Sequence, residues 1–424
     1  MLQDFSERAL DSLIYAADAA KRGVLSQKHL RRNYVRWIAQ AVADGNFTFG
    51  ALHQQKKNSF VVYKVKHLGD ELVLRQLATL IRKAYGLKQP DRHSVSKQVR
   101  TLLAETTFKH IVKLDIAKFY ESIDRDAIIA RLKYDGLLSR QAIAIIQSFF
   151  LSIQSQVPTG VPRGLGLSAI LAELCLSKFD KALRSFPGVY FAIRYVDDIL
   201  VLSMEPGFKV RKEVEGLLPK PLVLNADKCL SIQIGCRCYH NCIHASICPC
   251  AIKCQCHLKQ VKRSFSYLGY HYSLSPATKK VEDPANVIVS IAKKKIDRIK
   301  RRIICACKDH IRSQNFPLLF ARLRFLTENH RIRGARNYGK LTTGIGFNYS
   351  LLTSNSDLVV LDEFLRSTVS AAQGSFGLAL SSSLTAKQWR SLLAVSFVSG
   401  HRAKRRRKLT PAEAREIRAC WSSL

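Results

Sequence analysis

The stretch VYFAIRYVDDILVLS, residues 189–203, limits the possible folds more than any other part of the chain. β-Branched, aromatic and aliphatic residues dominate both flanks, which favours two strands joined by a tight turn. Two adjacent aspartates, Asp197 and Asp198, fall at or beside that turn. Asp is common in turns, so a purely local reading exists. However, two carboxylates framed by Tyr195 and an apolar return strand are costly to desolvate unless cations compensate their charge.

A third carboxylate extends the argument. The run IVKLDIAKFYESID puts Asp115 at the end of another strand-like segment, just before a helical one. Three carboxylates on adjacent strands could hold two Mg²⁺ ions about 3.5 to 4 Å apart. That arrangement activates a 3′-hydroxyl and stabilises leaving pyrophosphate in nucleotidyl transfer. Spacing alone leaves open whether the strands are neighbours.

The charge balance points to the same substrate class. Lys and Arg total 68 against 32 Asp and Glu, a formal charge of +36. Such self-repulsion is relieved by a polyanion, and nucleic acid is the partner expected. With 424 residues, 47% of them hydrophobic, the chain can bury a sizeable core in two or three lobes. The N-terminal segment reads as an amphipathic helix without the basic and apolar regions of a secretory signal. No run approaches ~18 apolar residues, so no membrane span and a cytoplasmic location are expected. In a reducing compartment, clustered cysteines bind metal or stay as thiols more often than they form disulfides.

Along the chain, residues 1–110 are mostly helical in pattern and basic, with a β-hairpin expected near SFVVYKVKH (59–67) and a turn at KQPDRHS (88–94). From 107 to 275, β-type runs alternate with helical ones, an α+β pattern. Beyond 283 a basic helix is expected with Asp283 as N-cap and Pro284 at N1; Ala292, Ile296, Ile299 and Ile303 form its apolar stripe. HRAKRRRKL (401–409) reads as a solvated tail or a nucleic-acid contact, and Thr410, Pro411 and Glu413 as the start of a short capped helix.

In chain order, DIAKFYESID, GVPRGLGLS, YVDD, LNADK and FSYLGY resemble the five palm motifs of reverse transcriptases, and the resemblance spans residues 115–272. It implies an α+β right-hand polymerase palm, an antiparallel sheet with helices, between helical basic fingers and a helical thumb. The implied division is 1–106 for the N-terminal region and fingers, 107–284 for the palm, 285–400 for the thumb and 401–424 for the basic tail and final helix. Residues 125–158 would add to the fingers, and 229–258 would be a Cys-rich insertion.

By that resemblance Asp115, Asp197 and Asp198 are Mg²⁺ ligands, completed by the carbonyl of Ile116. Tyr120 is a steric gate against a ribose 2′-hydroxyl, which implies dNTP use. Arg163 stands where the family commonly has Gln. With Gly164 it would meet the incoming nucleotide. Lys228 would protonate leaving pyrophosphate or be an ordinary surface lysine, and Arg92 would grip the triphosphate, with Arg75 and Lys66 as further candidates. Tyr267, Leu268 and Gly269 would form the primer grip.

Seven of the twelve cysteines lie within residues 236–256 as a short repeat. Cys236, Cys238, Cys242 and His244 are echoed by Cys248, Cys250, Cys254 and Cys256. Each unit offers four soft ligands, the number that tetrahedral Zn²⁺ takes. One or two structural zinc ions are expected, with free or redox-active thiols as the alternative.

With no ribonuclease H or endonuclease pattern after the last motif, and Ala169 where group II intron enzymes usually have proline, the resemblance narrows to the bacterial unknown-group, defence-associated reverse transcriptases. It implies antiphage work with a structured noncoding RNA as template, a DNA product, and a partner protein or homo-oligomer. The alternatives are a mobile-element enzyme without accessory domains and a non-catalytic RNA-binding scaffold.

Overall fold

The computed structural model describes residues 3–15, 18, 27–57, 60–105, 109–234, 264–274, 287–336, 339–403 and 405–422. The cysteine repeat, with Cys236, Cys238, Cys242, His244, Cys248, Cys250, Cys254 and Cys256, lies outside these residues, as do Asp283 and Pro284.

The centre is an antiparallel sheet in the order β4-β5-β3-β6: β3 is Lys109–Asp115, β4 Val189–Tyr195, β5 Asp198–Ser203 and β6 Leu230–Ile234. β3 and β5 are its inner strands, and β5 has no exposed residue after Asp198. Alternate side chains enter two different cores. Val112, Leu114, Ile199 and Val201 join the core shared with the N-terminal half, whereas Ile111, Leu200, Leu202 and Ile232 join the core shared with the C-terminal half. Burial on both faces explains why ILVL is a continuous apolar run rather than an alternating one. Each such side chain contributes about 1.5–3 kcal/mol relative to exposure.

Helices cover the first face. Helix Leu68–Ala84 packs on helix Gly166–Arg184, which also lies against β4. The hairpin expected near 59–67 is formed by β1 (Leu52–Lys57) and β2 (Phe60–Val65). Asp91 caps the helix Arg92–Ala104 by accepting from the Ser94 N–H.

The second face meets a three-stranded sheet, β7-β8-β9, made of Ser264–Tyr267, Tyr270–Leu274 and Val287–Ile291. The last strand departs from the helix expected over this stretch. VIVSI is β-branched and alternates inward and outward, so it pairs with β8, and the helix starts only at Lys293. Ile299 and Ile303 of that helix are buried, as its stripe requires.

The C-terminal region is not wholly helical. β10 (Asn329–Arg336) and β11 (Gly339–Gly344) form a hairpin, and β12 (Arg406–Leu409) pairs in parallel with β10. Residues 406–409 of the expected basic tail are therefore a strand of this sheet. Thr410 and Glu413 form the capping box with Pro411 in the first turn, and Trp421 is buried beyond it. Among the described residues no helix is long and apolar enough to cross a membrane.

Candidate active site

Antiparallel pairing sets Asp115, the last residue of β3, directly opposite Asp198, the first residue of β5. The Ile116 N–H donates to the Asp197 carbonyl at 3.1 Å, and the Asn225 N–H donates to the Asp115 carbonyl at 2.7 Å. Three segments distant in sequence are thereby tied at one sheet end. The Asp115 carboxylate is buried and accepts from Lys228 Nζ at 2.9 Å and Asn225 Nδ2 at 3.3 Å. Lys113 Nζ lies 3.4 Å from the Asp198 carboxylate. Burial first, then the charges of Asp198 and Asp115, push the Asp197 carboxyl above the usual carboxylate range. The hydrogen bond to Asp115 holds Lys228 above the usual lysine value, so it stays an ammonium.

The turn between β4 and β5 consists of Val196 and Asp197. Val196 has φ 60°, a conformation that β-branched residues rarely adopt and that costs about 1–3 kcal/mol. Arg194, itself buried, holds the turn. Its guanidinium donates to the Val196 carbonyl at 2.9 Å and grips both Glu173 and Asp180 in paired hydrogen bonds, 2.7 Å at the shortest for each. Glu173 and Asp180 project from helix Gly166–Arg184, so Arg194 ties this helix to the acidic turn.

Carboxylates and the Ile116 carbonyl are the hard oxygen donors that Mg²⁺ takes, and the Lys228 and Lys113 ammoniums stand beside them as cations. The donor chemistry thus fits a divalent cation. The side chains are not gathered into a finished cage: among the described residues, no group of three His, Cys, Asp or Glu could hold a metal ion. Asp198 is turned to Lys113.

Beside the carboxylates, Tyr120 begins a single 3₁₀ turn five residues after Asp115. Burial first, then Asp197 and Glu173, raise its phenol above the ordinary value. The Arg163 guanidinium lies over the Tyr120 ring at 5.2 Å and over the exposed Phe60 ring at 4.3 Å, while pairing with Glu121 at 3.1 Å. The Arg163 carbonyl accepts from the Tyr63 N–H at 2.7 Å, which joins this loop to the β1–β2 hairpin. Gly164 has φ +108°, and a Cβ there would sit 2.6 Å from the Val62 side chain and 2.9 Å from the Tyr63 carbonyl. Only glycine allows that approach.

Residues 70–272 match the family described as reverse transcriptase (RNA-dependent DNA polymerase). The chain carries a reverse transcriptase domain. It is by class an RNA-directed DNA polymerase, a nucleotidyltransferase. No curated protein matches the chain. Among solved structures, the chain resembles telomerase from Candida albicans in complex with a TWJ fragment of telomeric RNA (12% identity, TM-score 0.37), covering 93% of this chain and 67% of that one. It also resembles the Candida tropicalis telomerase with a TWJ fragment of telomeric RNA (11% identity, TM-score 0.38), with 89% and 64% covered. At these scores neither likeness bears on what this chain does.

Within the reverse transcriptase domain, Leu268 and Gly269 form a two-residue turn between β7 and β8 with φ 47° and 83°. Both central residues of such a hairpin turn need positive φ. Tyr267 before it is buried, its hydroxyl has no hydrogen-bond partner, and burial followed by the charge of Asp198 raises its phenol. Arg92 is at this turn. Its Nε donates to the Leu268 carbonyl at 2.7 Å, and its guanidinium lies over the Tyr270 and Tyr349 rings. It therefore braces the turn of the expected primer grip. Arg75 pairs with Asp18 at 2.7 Å and with Glu71.

Sequence reasoning missed Arg194, Glu173 and Asp180. A lone arginine inside an otherwise apolar strand, directly before the acidic turn, was the available signal: it demands buried acidic partners. Glu173 and Asp180 stand seven residues apart, about two helical turns, and so face the same way.

Proposed function

We propose that the chain copies RNA into DNA, adding dNTPs by two-metal catalysis at Asp115, Asp197 and Asp198. The observation that carries this reading is the direct register of Asp115 against Asp198, with the Asp197 carbonyl tied to Ile116. Asp115, Asp197, Asp198 and the Ile116 carbonyl would hold Mg²⁺, which when bound lowers the pKa of the attacking 3′-hydroxyl and neutralises charge on the leaving pyrophosphate. Tyr120 closes the space beside the carboxylates against a 2′-hydroxyl. Lys228 keeps a proton on Nζ for the leaving group, and Arg163 offers its guanidinium to a phosphate or a base. Incorporation of labelled dNTP on poly(rA)·oligo(dT) with Mg²⁺ tests the reading. Synthesis that survives Asp197→Ala with Asp198→Ala would refute it.

The finer reading is antiphage defence with a dedicated structured noncoding RNA as template, a DNA product, and a partner protein or second copy. It is supported by the resemblance, including Ala169 where group II intron enzymes usually have proline. Zn²⁺ in the cysteine repeat belongs to the same reading. Sequencing of copurified nucleic acid and zinc analysis of anaerobically purified protein test these points. A random RNA population and no stoichiometric zinc would reject them.

One observation favours a scaffold instead. The ion pairs Lys228–Asp115 and Lys113–Asp198 offset the charge of two of the three carboxylates. Calorimetric Mg²⁺ titration separates the readings, since a scaffold takes up no ion that Asp197→Asn abolishes.

A further inference from the structure

β12 is an edge strand, and its Arg406, Arg407 and Lys408, with Arg405 just before them, are cationic. Its parallel register sets Arg407 beside His330 and Lys408 beside Arg331 of β10. Of these pairs, Lys408 and Arg331 are like charges directly opposite one another, and they repel. The Arg331 Nε is buried and has no hydrogen-bond partner. Beside this edge lies a cavity of about 920 Å³, and five cationic side chains line it, Arg324 and Arg405 to Lys408, against the single carboxylate of Glu328. That carboxylate is already taken, because Arg324 Nε donates to it at 2.6 Å.

Such an arrangement costs stability unless an anion enters, and the cations form a line rather than a cup. Arg406 and Lys408 project from the same side of the strand, about 6.7 Å apart. A row of that kind matches a run of phosphates, not one isolated group. The geometry points to a second nucleic-acid site, away from the carboxylates, where β12 and the adjoining cavity bind the phosphate backbone of RNA. This inference rests on the reading of the chain as an enzyme that copies RNA. The site holds the template RNA by its backbone, independent of base sequence, while the palm acts on the primer end.

The test is a fluorescence-anisotropy titration of the full chain with a labelled RNA hairpin of random sequence over a range of salt concentrations. The double variant Arg406→Ala with Lys408→Ala is compared with the parent after circular dichroism shows the same fold. Each phosphate that the protein ceases to neutralise makes the log–log salt slope shallower by about 0.7–0.9, so the variant should be shallower by roughly 1.4–1.8. An unchanged slope in a folded variant overturns the site, and so does competition by polyglutamate equal to that by RNA at matched charge. Should the variant unfold, Arg406→Gln with Lys408→Gln, which keeps hydrogen-bonding capacity, is read the same way. Parallel extension of poly(rA)·oligo(dT) separates the two readings. A slope change in a parent that makes no DNA sinks the polymerase and leaves this site standing, whereas normal synthesis with no slope change does the reverse.

Discussion

The Arg194 guanidinium and the Val196 carbonyl stand 2.9 Å apart, and through that bond a buried cation fixes the turn that carries Asp197. Lysine keeps the charge but cannot form paired bonds to Glu173 and Asp180 while also reaching Val196. Arg194→Lys is therefore expected to fold and to lower kcat by about ten- to a hundredfold with KM for dNTP unchanged, because the carboxylates shift rather than vanish. Arg194→Met leaves two acids unpaired and should cost about 3–5 kcal/mol in denaturant unfolding. Unchanged kcat in Arg194→Lys would count against a positioning role.

Val196 carries the strain of this turn. Glycine at the first turn position removes about 1–3 kcal/mol of strain and gives back roughly 0.5–1 kcal/mol through chain entropy. Val196→Gly should thus raise the melting temperature or leave it unchanged. A clear drop would show that the Val196 side chain packs well enough to outweigh its conformation.

Tyr120 is half-buried beside Asp197 and sets sugar choice in the proposed reaction. Removing its ring in Tyr120→Ala opens space for a hydroxyl. Discrimination against rNTP, measured as the ratio of kcat/KM values, should fall by up to about a hundredfold. If the ratio holds, the ring serves only to pack against Arg163.

His330 gives the fold an acid-sensitive point. Burial first, and the nearby cations Arg407 and Arg324 after it, hold this imidazole below the usual value of 6.5, against the opposing hydrogen bond to the Arg324 carbonyl. Between its folded pKa and that of the unfolded chain, the unfolded state carries the proton and the native state does not. Stability therefore rises with pH through that window and falls on acidification below about 6.5. His330→Gln should flatten this part of the profile in urea melts taken at successive pH values. An identical slope in the variant would mean that other groups govern it.

Much of the palm was legible because its signals are local. The alternation of apolar runs and turns located β3, β4 and β5, and the acidic turn pointed to a cation. The Thr410–Glu413 pair marks a helix start by short-range hydrogen bonds that adjacent residues make on their own. Val287–Ile291 was harder, because VIVSI suits a strand or the beginning of a helix, and only β8 alongside it decides.

The sequence by itself determined which groups could react: three carboxylates, a lysine, a tyrosine and an excess of cations, all set by covalent chemistry. Tertiary structure alone decided their company. It brought Asp115 opposite Asp198, gave Arg92 to Leu268, pulled Arg194 between two acids of one helix, and folded the basic tail into a sheet edge. Those partners lie 14 to 176 residues apart, so no local pattern encodes them. They are chosen by the joint burial of two cores around one sheet, which leaves each buried charge only the partners that packing brings within reach.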